Sequence, residues 1–398
     1  MPATVIYDSS ERVGHQLDYI KFLTDYVMNG TTARDRTYIF VLHPNLYCGL
    51  CPLPVSSNLI FIQIPNDITS QLKNPSNTAS KYYNSQIEGP FLKAIINQYQ
   101  VDKLVFMILD SHIVLAGRRK FYPSEFQISG IYFRPLPGAA DSSGHHKRIK
   151  DRAKQFVKAG LLKTLIYRSK ITRIFIPEDQ SAISWLSRHV SDSVFSYLPD
   201  PIDQHIHTAN RDWFSRYGIN GDEPILLVFG VIGKRKNVIN IIKAFEAVQK
   251  RSSSSAGKLL IVGKFESEHY KQKINELLLT NSDLRHNVVI VDRFVSNEER
   301  EQLFAGCHVV LMPYLNFHGT SGVLCWAAKY KKPVLVSTEG VVADLVRIHK
   351  LGLTTDSYAV ENIATAITNV LLYQTNEVLT QRFLVGRTPE KFSQILLS

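Results

Sequence analysis

Apolar runs of strand length alternate with amphipathic helical stretches along most of the 398 residues. In the second half, Ile225–Phe229, 259–262, Val288–Val291, Val309–Met312 and 334–336 read as strands, each separated from the next by a helical pattern. Such strict alternation predicts a parallel, doubly wound α/β sheet. In the first half, strands are expected at 4–7, 38–42, 59–64, 103–109, 171–176 and 193–198, with a helix over 177–190. The run 103–109 is continuous enough to be buried on both faces. Leu17, Ile20, Phe22, Leu23 and Val27 are spaced to bury one face of a first helix. Pro199-Asp200-Pro201 cannot continue a sheet interior and marks a boundary, and 211–221 completes the junction. Length and pattern together give two domains, 1–200 and 201–380, with a hinge and a cleft between them and a terminal segment at 381–398.

Composition adds the partner. A formal net charge of +11 calls for something anionic: nucleic acid, acidic lipid or a phosphorylated small molecule. The segment 145–173 is the most basic, with Asp151 its single acid. As a helix it is expected to bury Ile149, Ala153, Phe156 and Gly160 and to present Lys147, Lys150, Lys154 and Lys158 opposite, a face suited to anionic lipid or simply to water. Phe156 and Tyr167 are its only aromatics, and no nucleic-acid-reading module accompanies it, so no nucleic-acid partner is expected. No apolar run approaches the roughly 18 residues of a membrane span. The N-terminus enters a strand without a basic leader, so the expected location is the cytoplasm. Cys48 and Cys51 form one CxxC without a second pair, read as reduced thiols rather than a zinc or redox centre.

Two loops carry candidate chemistry. His318-Gly319-Thr320-Ser321-Gly322, before Val323, joins a strand to a helix, where backbone amides and the helix dipole favour an anion. Upstream, Gly230-Val231-Ile232-Gly233-Lys234-Arg235-Lys236 follows another strand with three cations. In the first half, Gly14 and His15 close a loop after the first strand, while Asp110, His112 and Arg134 stand near the carboxyl ends of others, where open α/β sheets bind ligands.

Order and spacing of these motifs resemble GT-B-fold glycosyltransferases of the family 4 type. Phe229-Gly230 with Lys236-Asn237 resembles that family's phosphate motif, 322–334 its donor loop and helix, and Gly340 with Asp344 the glycine and acid that follow. Gly14 matches its acceptor-side glycine loop, and Pro389–Leu397 its terminal helix, which crosses back onto the first domain. The match is good over 221–375 and loose over the first 200 residues. His318 and Trp326 occupy the positions of two family glutamates, and Val231 that of an arginine. His318 can still hydrogen-bond a sugar hydroxyl, whereas Trp326 cannot accept a ribose hydroxyl proton.

The resemblance implies two Rossmann-like domains facing across a cleft, the second binding a nucleotide sugar and the first a saccharide or lipid-linked acceptor. It implies transfer that is metal-independent and retaining, in synthesis of a surface polysaccharide or glycolipid, at the cytoplasmic face of the membrane, where the charge of 145–173 could meet the anionic surface. Lys236, helped by Arg235, and the amides of Thr320, Ser321 and Gly322 would stabilise the departing diphosphate, with Gly230, Gly319 and Val323 also at the donor site. His318 would contact the sugar, and Gly14, Asp110 and Arg134 the acceptor. His15 and His112 are both candidates for the base. The competing reading is a non-catalytic module of the same fold that binds a phosphorylated sugar or a protein.

Overall fold

A computed structural model describes residues 2–11, 14–30, 35–133, 149–208, 210–219, 222–251, 257–280 and 282–398, and of 149–154, 211, 282 and 283 only the backbone. Arg134 and 145–148 lie outside the described residues, as do Arg12 and Val13 of the first loop. The chain forms two compact units, with crossings at 201/202 and 386/387.

The first unit holds β1 (Ala3–Asp8), β2 (Thr37–Leu42), β3 (Leu59–Gln63), β4 (Val101–Phe106), β5 (Gln127–Ile131), β6 (Ile171–Pro177) and β7 (Phe195–Leu198). They form one parallel sheet in the order β3-β2-β1-β4-β5-β6-β7. Helices cover both faces, so β1 is buried at every position, as a continuous apolar strand requires. The expected strand 103–109 stops at Phe106, and Leu109–Ala116 is a helix that buries Leu109, His112 and Leu115. An unbroken apolar run does not itself distinguish strand from helix, and here Asp110 and His112 belong to the helix.

The second unit holds β8 (Ile225–Phe229), β9 (Lys258–Val262), β10 (Val288–Val291), β11 (Val309–Met312), β12 (Val334–Ser337) and β13 (Gly352–Thr355), again parallel, in the order β10-β9-β8-β11-β12-β13. Gly352-Leu353-Thr354-Thr355 is too short and polar to read as a strand; pairing with β12 makes it one.

The basic helix Ile149–Arg168 differs from expectation in its orientation. Gln155, Ala159 and Leu162 are buried, while Phe156 and Gly160 face solvent. The stripe at 155, 159, 162 and 166 outcompetes the one through Phe156 because it is continuous with Leu165 and Ile166, which pack on the sheet's core.

Residues 387–398 belong to the first unit, whereas Glu377–Leu384 is a helix of the second, so the return begins after the expected 381. The helix Pro389–Leu397 packs Phe392 on Tyr19 at 4.7 Å between ring centroids. Where the chain enters and leaves this unit, one buried carboxylate holds both segments. Glu178 accepts from Arg387 Nε at 3.0 Å and Nη2 at 2.6 Å, and from the Asp200 backbone N–H at 2.8 Å. Asp200 in turn accepts from the Tyr19 hydroxyl, and burial pushes its carboxyl up to about 6. Glu178→Ala removes the carboxylate that balances the buried Arg387 guanidinium and is expected to cost about 3–5 kcal/mol. Urea unfolding of the full chain measures this; an unchanged midpoint would show that the clasp is not needed.

Candidate functional site

A doubly wound sheet has one place where the chain departs in opposite directions from neighbouring strands, and loops leaving there part to form a crevice. In the second unit that place is between β8 and β11. After β8 the chain turns at Gly230 (φ +101°), which any side chain would strain, and a Cβ there would meet the Lys236 ammonium at 3.3 Å. Gly263 is also obligatory, since a Cβ on it would lie 2.0 Å from the Gly230 carbonyl oxygen. The two loops are then laced together. Asn237 donates to the carbonyls of Pro313 and Ser357 at 3.0 and 2.7 Å, and the Leu315 N–H donates to the Arg235 carbonyl at 2.9 Å.

This lacing places Lys236. Its Nζ is buried and donates to the Phe229 carbonyl and to the Tyr314 hydroxyl, each at 2.6 Å, 4.3 Å from the centroid of that ring. Ser321 lies beside the same Tyr314 hydroxyl and lowers its pKa, against the effect of burial. It caps the helix Gly322–Lys329 by position, but its side chain makes no capping bond to that helix. Lys236 and Ser321, distant in sequence, thus meet on one tyrosine oxygen. Gly319, Thr320, Ser321 and Val323 are half-buried and Gly322 is exposed, and the first amides of the helix have no intrahelical acceptor. Arg235 lies exposed over the rings of Tyr314 and Phe317, at 5.2 and 4.7 Å. Burial, then repulsion from Arg235, holds the Lys236 ammonium well below its ordinary pKa, with Glu266 opposing. Burial pushes Tyr314 up to about 12. The arrangement is a cationic, donor-rich cradle short of negative charge. His318 is exposed beside it, its carbonyl near the Val341 N–H at 3.5 Å. Trp326 is held elsewhere, under Arg300 at 4.1 Å and Lys329 at 4.6 Å. Asp344 pairs with Arg347 at 3.1 Å.

In the first unit the corresponding switch point lies between β1 and β4. The two histidines found in the sequence differ sharply there. His112 is buried; its Nδ1 faces the Ile108 carbonyl at 2.8 Å, and its Nε2 faces Ser9 Oγ at 3.0 Å and Glu88 Oε1 at 3.2 Å. Glu88 also accepts from Ser9 at 2.6 Å and Tyr7 at 3.0 Å. Although burial opposes it, Glu88 raises the imidazole pKa, and His112 with these donors lowers that of Glu88. Asp8 ends β1 beside them; Ser10 satisfies its Oδ1, while Oδ2 is buried without a hydrogen-bond partner, and burial raises its pKa. His15 stays exposed, its ring edge-on to Tyr19 at 5.3 Å and Phe133 at 5.9 Å. Surrounding protein atoms lower its pKa, with Asp18 opposing. Gly14 (φ +26°) begins that helix. Asp110 accepts the Phe133 N–H at 2.6 Å and so fixes the end of β5.

Sequence reading missed Tyr314 and Glu88. Tyr314 was visible as the first side chain with a hydroxyl after β11, at a strand's carboxyl end; Glu88 sits inside the helix Thr78–Gln98 with no local mark. Cys48 and Cys51 are free and exposed, and among the described residues no group of three His, Cys, Asp or Glu is placed to hold a metal ion.

The family model described as Glycosyl transferases group 1 matches residues 209–381. Among curated proteins, none matches the chain by sequence. Similar solved structures include sucrose-phosphate synthase from Thermosynechococcus elongatus, 17% identical over 100% of this chain and 94% of that one, TM-score 0.66. Anabaena Alr3699/HepE in complex with UDP and glucose is 12% identical over 100% and 98%, TM-score 0.66. WaaG, a glycosyltransferase involved in lipopolysaccharide biosynthesis, is 14% identical over 100% and 99%, TM-score 0.61. Residues 209–381, which carry β8 to β13 and the Lys236–Tyr314–Ser321 cluster, are a group 1 glycosyltransferase domain, in a chain whose two sheets have the GT-B fold.

Proposed function

We propose that this chain is an active glycosyltransferase that moves a sugar from a nucleotide-sugar donor to a saccharide or lipid-linked acceptor. The observation that supports this most is the convergence of Lys236 and Ser321 on the Tyr314 hydroxyl at the β8/β11 switch point. As the glycosidic bond breaks, negative charge grows on the departing diphosphate. A buried ammonium with neutral partners gains most from such an anion, because little water screens the pair. The diphosphate would also restore the charge that burial disfavours on Lys236. Arg235 and the amides of Gly322 and Val323 would share the load, so the leaving group is stabilised by protein cations and the helix dipole, without a metal in that role. Uridine diphosphate is the donor nucleotide to test first, since HepE was solved with UDP and glucose.

On the first unit, His15 is the better candidate to take the acceptor's proton, and His112 a group that positions the loop after β1. An imidazole with a lowered pKa is neutral near pH 7 and has a free lone pair. His112, engaged on both nitrogens and paired to Glu88, has none to offer. Retention at the anomeric carbon, a surface polysaccharide or glycolipid as product, and work at the inner face of a membrane complete the proposal. The involvement of WaaG in lipopolysaccharide biosynthesis supports the choice of product class.

Three outcomes are expected. Lys236→Ala lowers turnover of the nucleotide sugar by about a hundredfold or more; near-normal turnover would remove Lys236 from the mechanism, and no transfer or donor hydrolysis by the parent protein would favour a binding module. His15→Ala lowers transfer by about a hundredfold or more while donor hydrolysis persists, and the parent's acid limb of kcat/KM falls below pH 6.5 because the base must be unprotonated and its pKa lies under that value. The His112–Glu88 pair affects stability instead. A raised histidine stabilises below 6.5 and loses that effect as pH rises through its folded value; a lowered glutamate stabilises above 4.5 and loses it as pH falls through its own. The stability lost in Glu88→Gln is therefore largest between those values and smaller toward alkaline pH, as urea unfolding across pH will show.

A further inference from the structure

We infer that the cavity between the helix Thr78–Gln98 and the turn at 118–121 is a second ligand site, one that takes a small phosphorylated sugar. It goes beyond the proposed transfer, since none of its residues belongs to the Lys236 cluster. Gly89-Pro90 stands in the interior of the 21-residue helix Thr78–Gln98, where these two residue types are the least favoured. Pro90 has no N–H to give the carbonyl four residues earlier, that of Gln86, and its ring crowds that carbonyl. Gln86 and Pro90 both line an open cavity of about 530 Å³. An acceptor deprived of its helical donor therefore belongs to the cavity wall. Gly89 has its own reason to be there. A Cβ on it would come within 3.1 Å of the Phe121 ring and 3.6 Å of Arg118 Nη1, so glycine lets the turn lie this close to the helix.

The opposite wall is cationic. Arg118, Arg119, Lys120 and Phe121 line it, and no aspartate or glutamate is among the lining residues. Arg118 Nη1 is held by the Ser85 carbonyl at 3.0 Å. Lys93 Nζ lies over the Phe121 ring at 5.6 Å from its centroid, adding a fourth cation at the edge.

Chemistry selects the occupant. Two guanidinium groups and an ammonium answer a phosphate dianion. The Gln86 carbonyl calls for a hydroxyl donor, and Phe121 with Pro90 offers an apolar surface to a sugar's C–H face. A bare phosphate would satisfy the cations and leave the carbonyl unanswered. A phosphorylated sugar brings both groups, and the volume is that of a small-molecule site.

Both walls lead to the His112–Glu88 pair. Glu88 follows Gln86 by two residues on one helix, and the helix Leu109–Ala116, which carries His112, runs through Gly117 into Arg118. A ligand that bridges Gln86 and the turn ties these helices together where His112 Nε2 faces Glu88 at 3.2 Å. Occupancy of the cavity thus favours the arrangement that positions the loop after β1.

Isothermal titration calorimetry of the full chain with ribose 5-phosphate, with and without saturating UDP, tests this. One equivalent should bind in both conditions, about tenfold or more tightly than ribose or inorganic phosphate. Arg118→Gln with Arg119→Gln and Lys120→Gln should weaken binding by about tenfold or more. Pro90→Ala returns an N–H to the Gln86 carbonyl and should weaken it about fivefold, with a melting temperature no lower than the parent's. The rise of melting temperature with UDP should be the same in the parent and both variants. A parent that fails to bind UDP would count against the donor site and leave this measurement standing. No binding of ribose 5-phosphate, its displacement by UDP, equal affinity for inorganic phosphate, or undiminished binding by either variant would overturn the inference. So would binding to phosphatidylglycerol vesicles with none to ribose 5-phosphate.

Discussion

A parallel sheet that winds outward from its middle leaves one gap among its loops, and that gap constrains everything else in each unit. Strands β8 and β11 are neighbours in the second sheet, yet their chains leave in opposite directions. The loops that part there must end their hydrogen bonding on side chains or ligands, because no strand continues between them. Asn237 and the Arg235 carbonyl take up part of that demand by tying one loop to the other. What remains is the amides that open the helix Gly322–Lys329, and an ammonium drawn inward by Phe229 and Tyr314. The candidate chemistry is thus a consequence of topology first and of residue choice second.

Residue choice then decides what the two units do with equivalent gaps. In the second unit the buried group is a cation with neutral partners, a state whose cost falls when an anion arrives. In the first, the buried groups are already matched, His112 with Glu88, and the gap is closed to a further charge at that point. Among the described residues there, His15 is exposed, while Asp8 is buried with one oxygen lacking a hydrogen-bond partner. A buried cation in one unit and a matched His112–Glu88 pair among hydroxyls in the other are what the proposed diphosphate and alcohol would respectively meet.

Much of this was legible in the sequence because both sheets are covered on two faces, so their strands are unbroken apolar runs. Ile225–Phe229, Val288–Val291 and Val309–Met312 have the expected bounds. Legibility failed where a local pattern admits two registers. The basic helix offered two apolar stripes, and tertiary packing chose the one through Gln155, Ala159 and Leu162. Asp110 and His112 were visible as polar residues after a strand, but not the Glu88 that engages His112, since a partner from a helix distant in sequence leaves no spacing to read. Tyr314 went unnoticed for a different reason: a tyrosine after a strand is ordinary, and only the bond from Lys236 and the approach of Ser321 single it out.

Trp326 shows how a departure from a family pattern acquires a physical meaning. Its indole lies against the guanidinium of Arg300 and the ammonium of Lys329, and is tilted on Phe304 at 5.9 Å. Lys329 is buried and pairs with Glu301 at 2.9 Å, so one of the two cations is already neutralised by a carboxylate. A glutamate in place of the tryptophan would meet both cations and compete with Glu301 for Lys329. The π face attracts the same cations without adding a second buried anion. In this chain the position therefore holds the helices Asn297–Gly306 and Gly322–Lys329 together, and under the proposed function the polar recognition of a nucleotide would fall to backbone amides and to the cations of the loop at 234–236.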